Sequence, residues 1–255
     1  MTQHHRNGWL VKCATRFLPV PVLRAGARML GREFEVPVGR VRLGSLGRVD
    51  PVNRSFGYGR GRPVDRYYIE AFLERHAGDI RGHVLEVKDA GYTRRFGGER
   101  VTRADVVDVD AGNPVATIVA DLTHGDGIPS DSFDCVVLTQ TLHLIYDVRA
   151  AIATLYRILK PDGVALVTLP GISQVDRPIS ETWYWSFTEA SARRTFGDVF
   201  PGDSVAVETH GNVLAAVAFL HGLAAEELSP EKLDVHDPAY PVTIAVRAVK
   251  PARAS

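Results

Sequence analysis

The sequence predicts a three-layer α/β domain built on a seven-stranded, mostly parallel sheet. From about residue 82 onward, short apolar runs typical of strands alternate with helical patterns. Strands joined by crossovers, and not by tight turns, indicate a parallel sheet with helices on both faces. The chain has 255 residues, of which 45% are hydrophobic and 24% charged. This composition is enough to bury a sizeable core and argues against disorder.

Residues 8–31 are the first part of the chain with a helical pattern. Apolar residues recur there at helical spacing, but Pro19 and Pro21 interrupt the pattern, so we expect two short helices. Residues 36–62 are rich in Gly, Pro and Arg and predict an ordered loop, followed by a helix that begins near Pro63.

Charge divides the chain into the same two parts. Residues 1–62, the expected basic N-terminal helical and loop extension, hold twelve Lys and Arg against three Asp and Glu. Residues 63–255, the expected α/β domain, hold eighteen against twenty-seven. Opposite charges either dock the extension on the domain or attract an anionic substrate or membrane surface. The arginines are scattered, which favours docking.

Seven apolar runs predict the strands, at residues 83–87, 104–110, 116–120, 133–139, 163–169, 204–210 and 241–249. Between the fourth and fifth runs, residues 147–163 carry a helical stripe closed by a Pro-Asp-Gly turn. We expect the last two strands to pair antiparallel. The apolar helix predicted between them, in residues 211–233, either covers the sheet or forms a homodimer surface.

Cysteine use and hydropathy predict a cytoplasmic protein. Cys13 and Cys135 are far apart, and Cys135 lies in an apolar run, so we expect neither a disulfide framework nor a metal site. The longest uncharged apolar run, Asn212 to Ala225, is too short to span a bilayer. We also expect no secretory signal.

Four segments carry a family resemblance through their order and spacing. They are "VLEV", "DLT", "DSFDCVVLTQTLHL" and "RILKPDGVALVTLP", within residues 82–170. Together they resemble the class I S-adenosylmethionine-dependent methyltransferases of the small-molecule and glycan type. The resemblance implies a three-layer Rossmann-like methyltransferase fold with an antiparallel last strand. It also implies S-adenosyl-L-methionine as cofactor and methyl transfer to a small-molecule acceptor, a sugar or natural-product hydroxyl. We expect no nucleic-acid partner, because the domain is acidic.

The resemblance also implies roles for acidic residues at strand ends. Glu86 would lie near the methionine moiety, and an acid ending the second strand would bind the ribose hydroxyls. Asp108 and Asp110 both qualify, since a carboxylate at a strand's carboxyl end accepts from vicinal hydroxyls. Asp110 is closer to the strand exit, but strict alternation points both side chains to one face, so both remain candidates.

After the third strand, "ADLTHG" resembles the turn of this family that contacts adenine. Asp121 would accept from the exocyclic amine, and Leu122 would lie beside the ring. The alternative is that Asp121 caps a turn.

The chain departs from the family at the glycine loop. Methyltransferases of this class usually place Gly-x-Gly-x-Gly after the first strand, where this sequence reads Lys88, Asp89, Ala90, Gly91, Tyr92. Either the loop takes another path, with Asp89, Gly91 or Tyr92 contacting the cofactor, or Lys88 and its neighbours fill the pocket. In the second case the protein has lost methyl transfer and binds another ligand or partner, or catalyses another reaction. The acidic residues retained at the strand ends favour the first alternative, in which the loop still contacts the cofactor.

Only a turn or two of helix fits between residues 89 and 102, which leaves one flank of the cofactor open. We expect Arg60, Arg62 and Tyr67 to supply this wall, with an arginine, Arg60 first, pairing with the methionyl carboxylate.

His143 follows the fourth strand and is the candidate general base for a hydroxyl acceptor. The alternative is a structural histidine satisfied by the neighbouring helix. For the acceptor we expect contacts from Tyr146, Glu181, Trp183 and Trp185, because aromatic faces suit sugar rings. These rings could equally belong to the core.

Overall fold

The computed structural model describes residues 18–31 and 34–252, and the chain divides into two compact units, residues 1–50 and 51–255. In the first unit, helix α1 spans Val20–Met29 and starts directly after Pro19. Pro21 lies in its first turn, where a missing N–H costs no hydrogen bond. The other helix predicted in residues 8–31, together with Cys13, lies outside the described residues. The predicted domain boundary after residue 62 stays a prediction.

The second unit contains the sheet. Its strands are β1 Gly82–Val87, β2 Val101–Asp108, β3 Ile118–Val119, β4 Phe133–Thr139, β5 Leu159–Pro170, β6 Val205–His210 and β7 Thr243–Val249. The order across the sheet is β3-β2-β1-β4-β5-β7-β6. The first five strands pair in parallel. Strand β7 lies antiparallel between β5 and β6. The seven-stranded, mostly parallel sheet with an antiparallel last strand is therefore confirmed.

Helices cover both faces of this sheet. The helices of this unit are α2 Val64–Arg75, α3 Val148–Ile158, α4 Glu189–Gly197, α5 Val213–Leu220 and α6 Pro230–Leu233. Of these, α2, α3 and α4 pack directly on strands. Alternation along β1 explains the two layers, because Leu85 lies in one core cluster with Leu155 of α3 while Val84 lies in another with Phe72 of α2. Cys135 is a buried free thiol in the α2 layer.

Helix α5, expected over the sheet or at a homodimer surface, packs mainly on other helices. Ala215 and Phe219 lie in one cluster with Val64 and Tyr68 of α2 and Leu233 of α6. Asn212 caps the helix by accepting from the Ala215 backbone N–H.

Two connections differ from the predicted boundaries. Strand β2 ends at Asp108, so Asp110 belongs to the following loop. Strand β5 begins at Leu159, directly after α3, and includes the Pro-Asp-Gly segment. The crossover from β1 to β2 consists of a π-helical turn, Thr93–Gly97, and a 3-10 turn, Gly98–Arg100, which matches the turn or two of helix that we predicted.

Among the described residues, no helix has the length and apolarity needed to cross a bilayer. The same part of the chain brings together no group of three or more His, Cys, Asp or Glu that could hold a metal ion.

Candidate functional site

A cavity of about 1270 Å³ lies within the second unit, at the carboxyl ends of the parallel strands. Open α/β sheets bind ligands at this edge, and ligand pockets usually measure about 300–1,000 Å³. The cavity is therefore large enough for a small-molecule ligand. The sheet order places Asp121 after β3, Asp108 at β2, Glu86 on β1 and His143 after β4 in a row along it.

Glu86 is buried at the end of β1 and lines the cavity. Its carboxylate accepts from the backbone N–H of Tyr92 at 3.1 Å and of Thr93 at 2.7 Å. Burial raises the pKa of Glu86, while these hydrogen bonds act in the opposite direction. Glu86 thus holds the start of the short helical crossover against the end of β1.

Lys88 occupies the first glycine position and keeps a glycine-like backbone. Its φ is +73°, in the left-handed region that L-residues rarely adopt. Its N–H donates to Val107 O at 3.0 Å, and its carbonyl accepts from Asn113 Nδ2 at 2.8 Å. The Lys88 residue is exposed. The loop therefore makes the turn that a glycine usually allows, and Lys88 lies among the residues that line the cavity.

The rest of the loop is held by short-range bonds. Asp89 Oδ1 accepts from Gly91 N at 2.7 Å, and Ala90 is buried. Asp89, Gly91 and Tyr92 all line the cavity. The Tyr92 hydroxyl accepts from Arg66 Nη1 of helix α2 at 3.2 Å. The tyrosine at the third glycine position is thus tied to α2.

The two acids at the carboxyl end of β2, Asp108 in the strand and Asp110 in the following loop, have different surroundings. Asp108 accepts from Asp110 N at 3.0 Å and from Asn113 Nδ2 at 2.7 Å. Burial opposes ionisation of Asp108, yet these hydrogen bonds lower its pKa overall. Asp110 is exposed, and one of its oxygens accepts from Gly112 N at 2.8 Å. Both line the cavity, but Asp108 is largely occupied with holding its own loop.

Asp121 and Leu122 line the cavity after β3. Asp121 Oδ1 accepts from the Thr123 backbone N–H at 2.8 Å, a bond that lowers the pKa of Asp121. The side chain therefore caps a turn, as the alternative interpretation proposed, and it also lies at the cavity.

His143 lines the cavity on the β4 side and is only 3% exposed. Its Nδ1 has no hydrogen-bond partner in the described part of the chain. Burial lowers the pKa of His143 to about 4, so the ring is neutral near pH 7. The Trp183 ring lies 4.2 Å away between centroids. A neutral ring facing a cavity can bind or deprotonate a ligand.

Trp183 is the predicted acceptor-binding residue that lines the cavity. It stacks on Phe56 with ring centroids 6.3 Å apart. Within residues 18–31 and 34–252, the cavity lining does not include Tyr146, Glu181 or Trp185. Tyr146 and Trp185 instead form an exposed aromatic group with Tyr184.

The predicted arginine wall is only partly present. Among the described residues, the lining includes Arg62 but neither Arg60 nor Tyr67. Arg60 forms an ion pair with Glu227, with Nε 3.1 Å from Oε2. Arg62 pairs with Glu70 at 3.1 Å.

Sequence reasoning missed two lining residues at the start of α2, Asp65 and Arg66. Arg66 donates to the hydroxyls of Tyr58 at 3.1 Å and Tyr92 at 3.2 Å. The sequence signal that could have identified Asp65 and Arg66 is an acidic residue next to a basic residue in the first turn of a helix that follows a Gly-rich loop.

Part of the chain is similar to known proteins. Residues 57–167 match the model of a family described as a methyltransferase domain. One curated relative, the probable polyketide synthase 10 of Dictyostelium discoideum, is 34% identical over 71 residues, which is 27% of this chain. That match spans 3% of the relative's length.

Two solved structures share the fold. An S-adenosylmethionine-dependent methyltransferase from Archaeoglobus fulgidus is 14% identical with a TM-score of 0.50, covering 72% of this chain and 94% of that one. Phosphoethanolamine N-methyltransferase 2 of Haemonchus contortus, solved with phosphomonomethylethanolamine and S-adenosylhomocysteine, is 17% identical with a TM-score of 0.50. That match covers 72% of this chain and 52% of the other.

Proposed function

We propose that the protein transfers a methyl group from S-adenosyl-L-methionine to a small-molecule acceptor, on the premise that residues 57–167 match the model of a methyltransferase domain. The observation that carries this proposal is the row of acids at the exits of β1, β2 and β3 around one cavity, with a neutral histidine after β4. Adenosine has amine and hydroxyl groups that donate hydrogen bonds to such carboxylates.

The residues present fit this cofactor. Asp121 and Leu122 would hold adenine, and Asp110 would accept from the ribose hydroxyls because its carboxylate is exposed at the cavity. Glu86 and the loop after β1 would border the methionyl part. The cofactor, when bound, supplies an activated methyl group on a sulfonium, so positioning by these residues accounts for much of the rate.

The acceptor in this proposal is a hydroxyl of a sugar or another natural product. His143 would accept the hydroxyl proton at a ring nitrogen, since its ring is neutral and the residue lines the cavity. Trp183 would place an apolar ring against the acceptor next to His143. A pKa near 4 makes His143 a weak base, so proton transfer would occur late, as the methyl bond forms.

The alternative function is ligand or partner binding without methyl transfer. The observation in its favour is the replacement of glycines by Lys88, Ala90 and Tyr92. The left-handed backbone of Lys88 and the tie of Tyr92 to Arg66 weigh against it, because they keep the loop's turn and leave the cavity beside it.

Calorimetric titration with S-adenosylmethionine and S-adenosylhomocysteine separates the two functions. The proposal expects one site per chain for both ligands; no heat of binding at about millimolar ligand would favour the alternative.

For the transfer step, methyl-labelled cofactor is incubated with small-molecule extracts. The wild type should label a product, and His143→Ala should not, while both bind S-adenosylhomocysteine equally. Equal labelling by both proteins would remove His143 from the base role.

Three further statements stay predictions: a role in small-molecule biosynthesis, a cytoplasmic location and a homodimer. Sedimentation velocity over a range of protein concentrations would test the last.

A further inference from the structure

Asp65 is a buried acid that the proposed chemistry does not yet use. It lies in the first turn of α2, lines the cavity, and is 9% exposed. Its Oδ1 atom has no hydrogen-bond partner in residues 18–31 and 34–252. Leaving a buried carboxylate oxygen unpaired is costly unless a donor or a positive charge reaches it.

The surroundings of Asp65 place it beside β1. Its neighbour Arg66 donates to the Tyr92 hydroxyl, and the Tyr92 backbone N–H donates to Glu86 at the end of β1. Through these bonds the first turn of α2 is held over the loop that replaces the glycines. Asp121 and Asp108 lie farther along the edge at β3 and β2, and His143 lies on the other side at β4.

This order along the edge constrains which part of the cofactor can reach Asp65. If adenine lies at β3 and ribose at β2, the methionyl part lies at β1. The methionyl part carries an α-ammonium group, a cation with three donors. In this family the loop after β1 usually offers bare backbone to that part, whereas here the positions carry Lys88, Ala90 and Tyr92.

We propose that Asp65 binds the α-ammonium group of the methionyl part of the cofactor, so that a side chain of α2 takes over a contact from the altered loop. The inference rests on the proposed function, because it requires S-adenosylmethionine in the cavity. The ammonium supplies the donor that Oδ1 lacks. Burial raises the pKa of Asp65 in the ligand-free protein, and an adjacent ammonium would favour its ionised form.

The test compares two ligands on the Asp65→Asn variant. S-adenosylhomocysteine carries the amino-acid tail, while 5′-methylthioadenosine keeps the adenosine and the sulfur but lacks the tail. Asparagine keeps an oxygen that can accept the backbone hydrogen bonds of the helix start. We expect the dissociation constant for S-adenosylhomocysteine to rise about 10- to 100-fold, because one charge-assisted hydrogen bond is lost. Binding of 5′-methylthioadenosine should not change.

Glu74→Gln is the matched control, since Glu74 is an exposed acid of the same helix. It should leave both dissociation constants unchanged. The melting temperature of ligand-free Asp65→Asn should stay close to that of the wild type, because the substitution removes the desolvation cost of a buried charge but also removes the partner charge of Arg66. A purely structural role would lower it.

Other outcomes would contradict either the role of Asp65 or the proposed function. An unchanged affinity for S-adenosylhomocysteine, or an equal loss for both ligands, would overturn the role of Asp65 and leave the proposed function intact. If the wild type binds neither ligand, the proposed function fails and this inference fails with it.

Discussion

At the scale of single residues, His143 shows how burial sets chemistry. Its folded-state pKa of about 4 lies below the ordinary value of 6.5, and burial is the cause. Well above about pH 6.5 the His143 ring is neutral in both the folded and the unfolded chain, so its protonation does not change the free energy of unfolding. As the pH falls from about 6.5 to about 4, the unfolded chain gains a proton that the folded chain resists, and stability is lost.

This difference predicts a pH-dependent stability that His143 causes. Between about pH 7.5 and about pH 5, the wild type should lose about 2 kcal/mol more unfolding free energy than His143→Gln. Urea denaturation of both proteins at the two pH values measures it. Equal losses would show that the ring is not held neutral.

For Asp108 and Asp110, at the carboxyl end of β2, we predict separable effects. Asp110→Ala should raise the dissociation constant for S-adenosylhomocysteine about 10- to 100-fold with little change in melting temperature, because a hydrogen-bond acceptor for ribose is lost. Asp108→Ala should lower the melting temperature, since Asp108 holds Asn113 and the backbone of Asp110. An unaltered dissociation constant in Asp110→Ala would move the ribose contact to Asp108.

At the scale of elements, the loop after β1 stores strain at Lys88. A left-handed L-residue costs about 1–2 kcal/mol, while glycine loses about 0.5–1 kcal/mol through its flexible unfolded state. Lys88→Gly should therefore raise the unfolding free energy by up to about 1 kcal/mol, measured by urea denaturation. Lys88→Ala, which keeps a Cβ atom, should show no such gain. A loss in Lys88→Gly would mean that the lysine side chain stabilises the loop.

The sequence was sufficient for elements marked by a continuous apolar run. Strand β4 appears as Phe133–Thr139, the predicted residues, because a continuous apolar run between turns leaves little choice. Strand β2 was shifted, since local hydrogen bonds of Asp108 and Asn113 end it earlier than its alternating pattern suggests. Side-chain networks of this kind leave no periodic signal.

The site was less predictable where it depends on contacts between distant segments. Acids at strand ends could be placed because strand topology alone brings them to one edge. Asp65 and Arg66 could not, because their position depends on how α2 packs over the loop that holds Tyr92. Likewise, the sequence of adjacent aromatic residues does not indicate that Trp183 lines the cavity while Trp185 stays exposed.

At the scale of the whole molecule, residues 51–255 contain every strand of the sheet and all described residues that line the cavity. A chain that starts at Pro51 should therefore unfold in one cooperative transition and bind S-adenosylhomocysteine. Thermal unfolding monitored by circular dichroism, followed by calorimetry, checks both. A chain that lacks a cooperative transition would show that the first fifty residues are needed for folding.

We infer that one cavity holds the cofactor despite the altered glycine loop. A crystal structure of the protein grown with S-adenosylhomocysteine tests this claim most directly. We expect adenine beside Asp121 and Leu122, ribose on Asp110, and the amino-acid tail between the Lys88 loop and the start of α2. A cavity filled by the side chain of Lys88 or Tyr92, with no ligand at about millimolar concentration, would contradict the account.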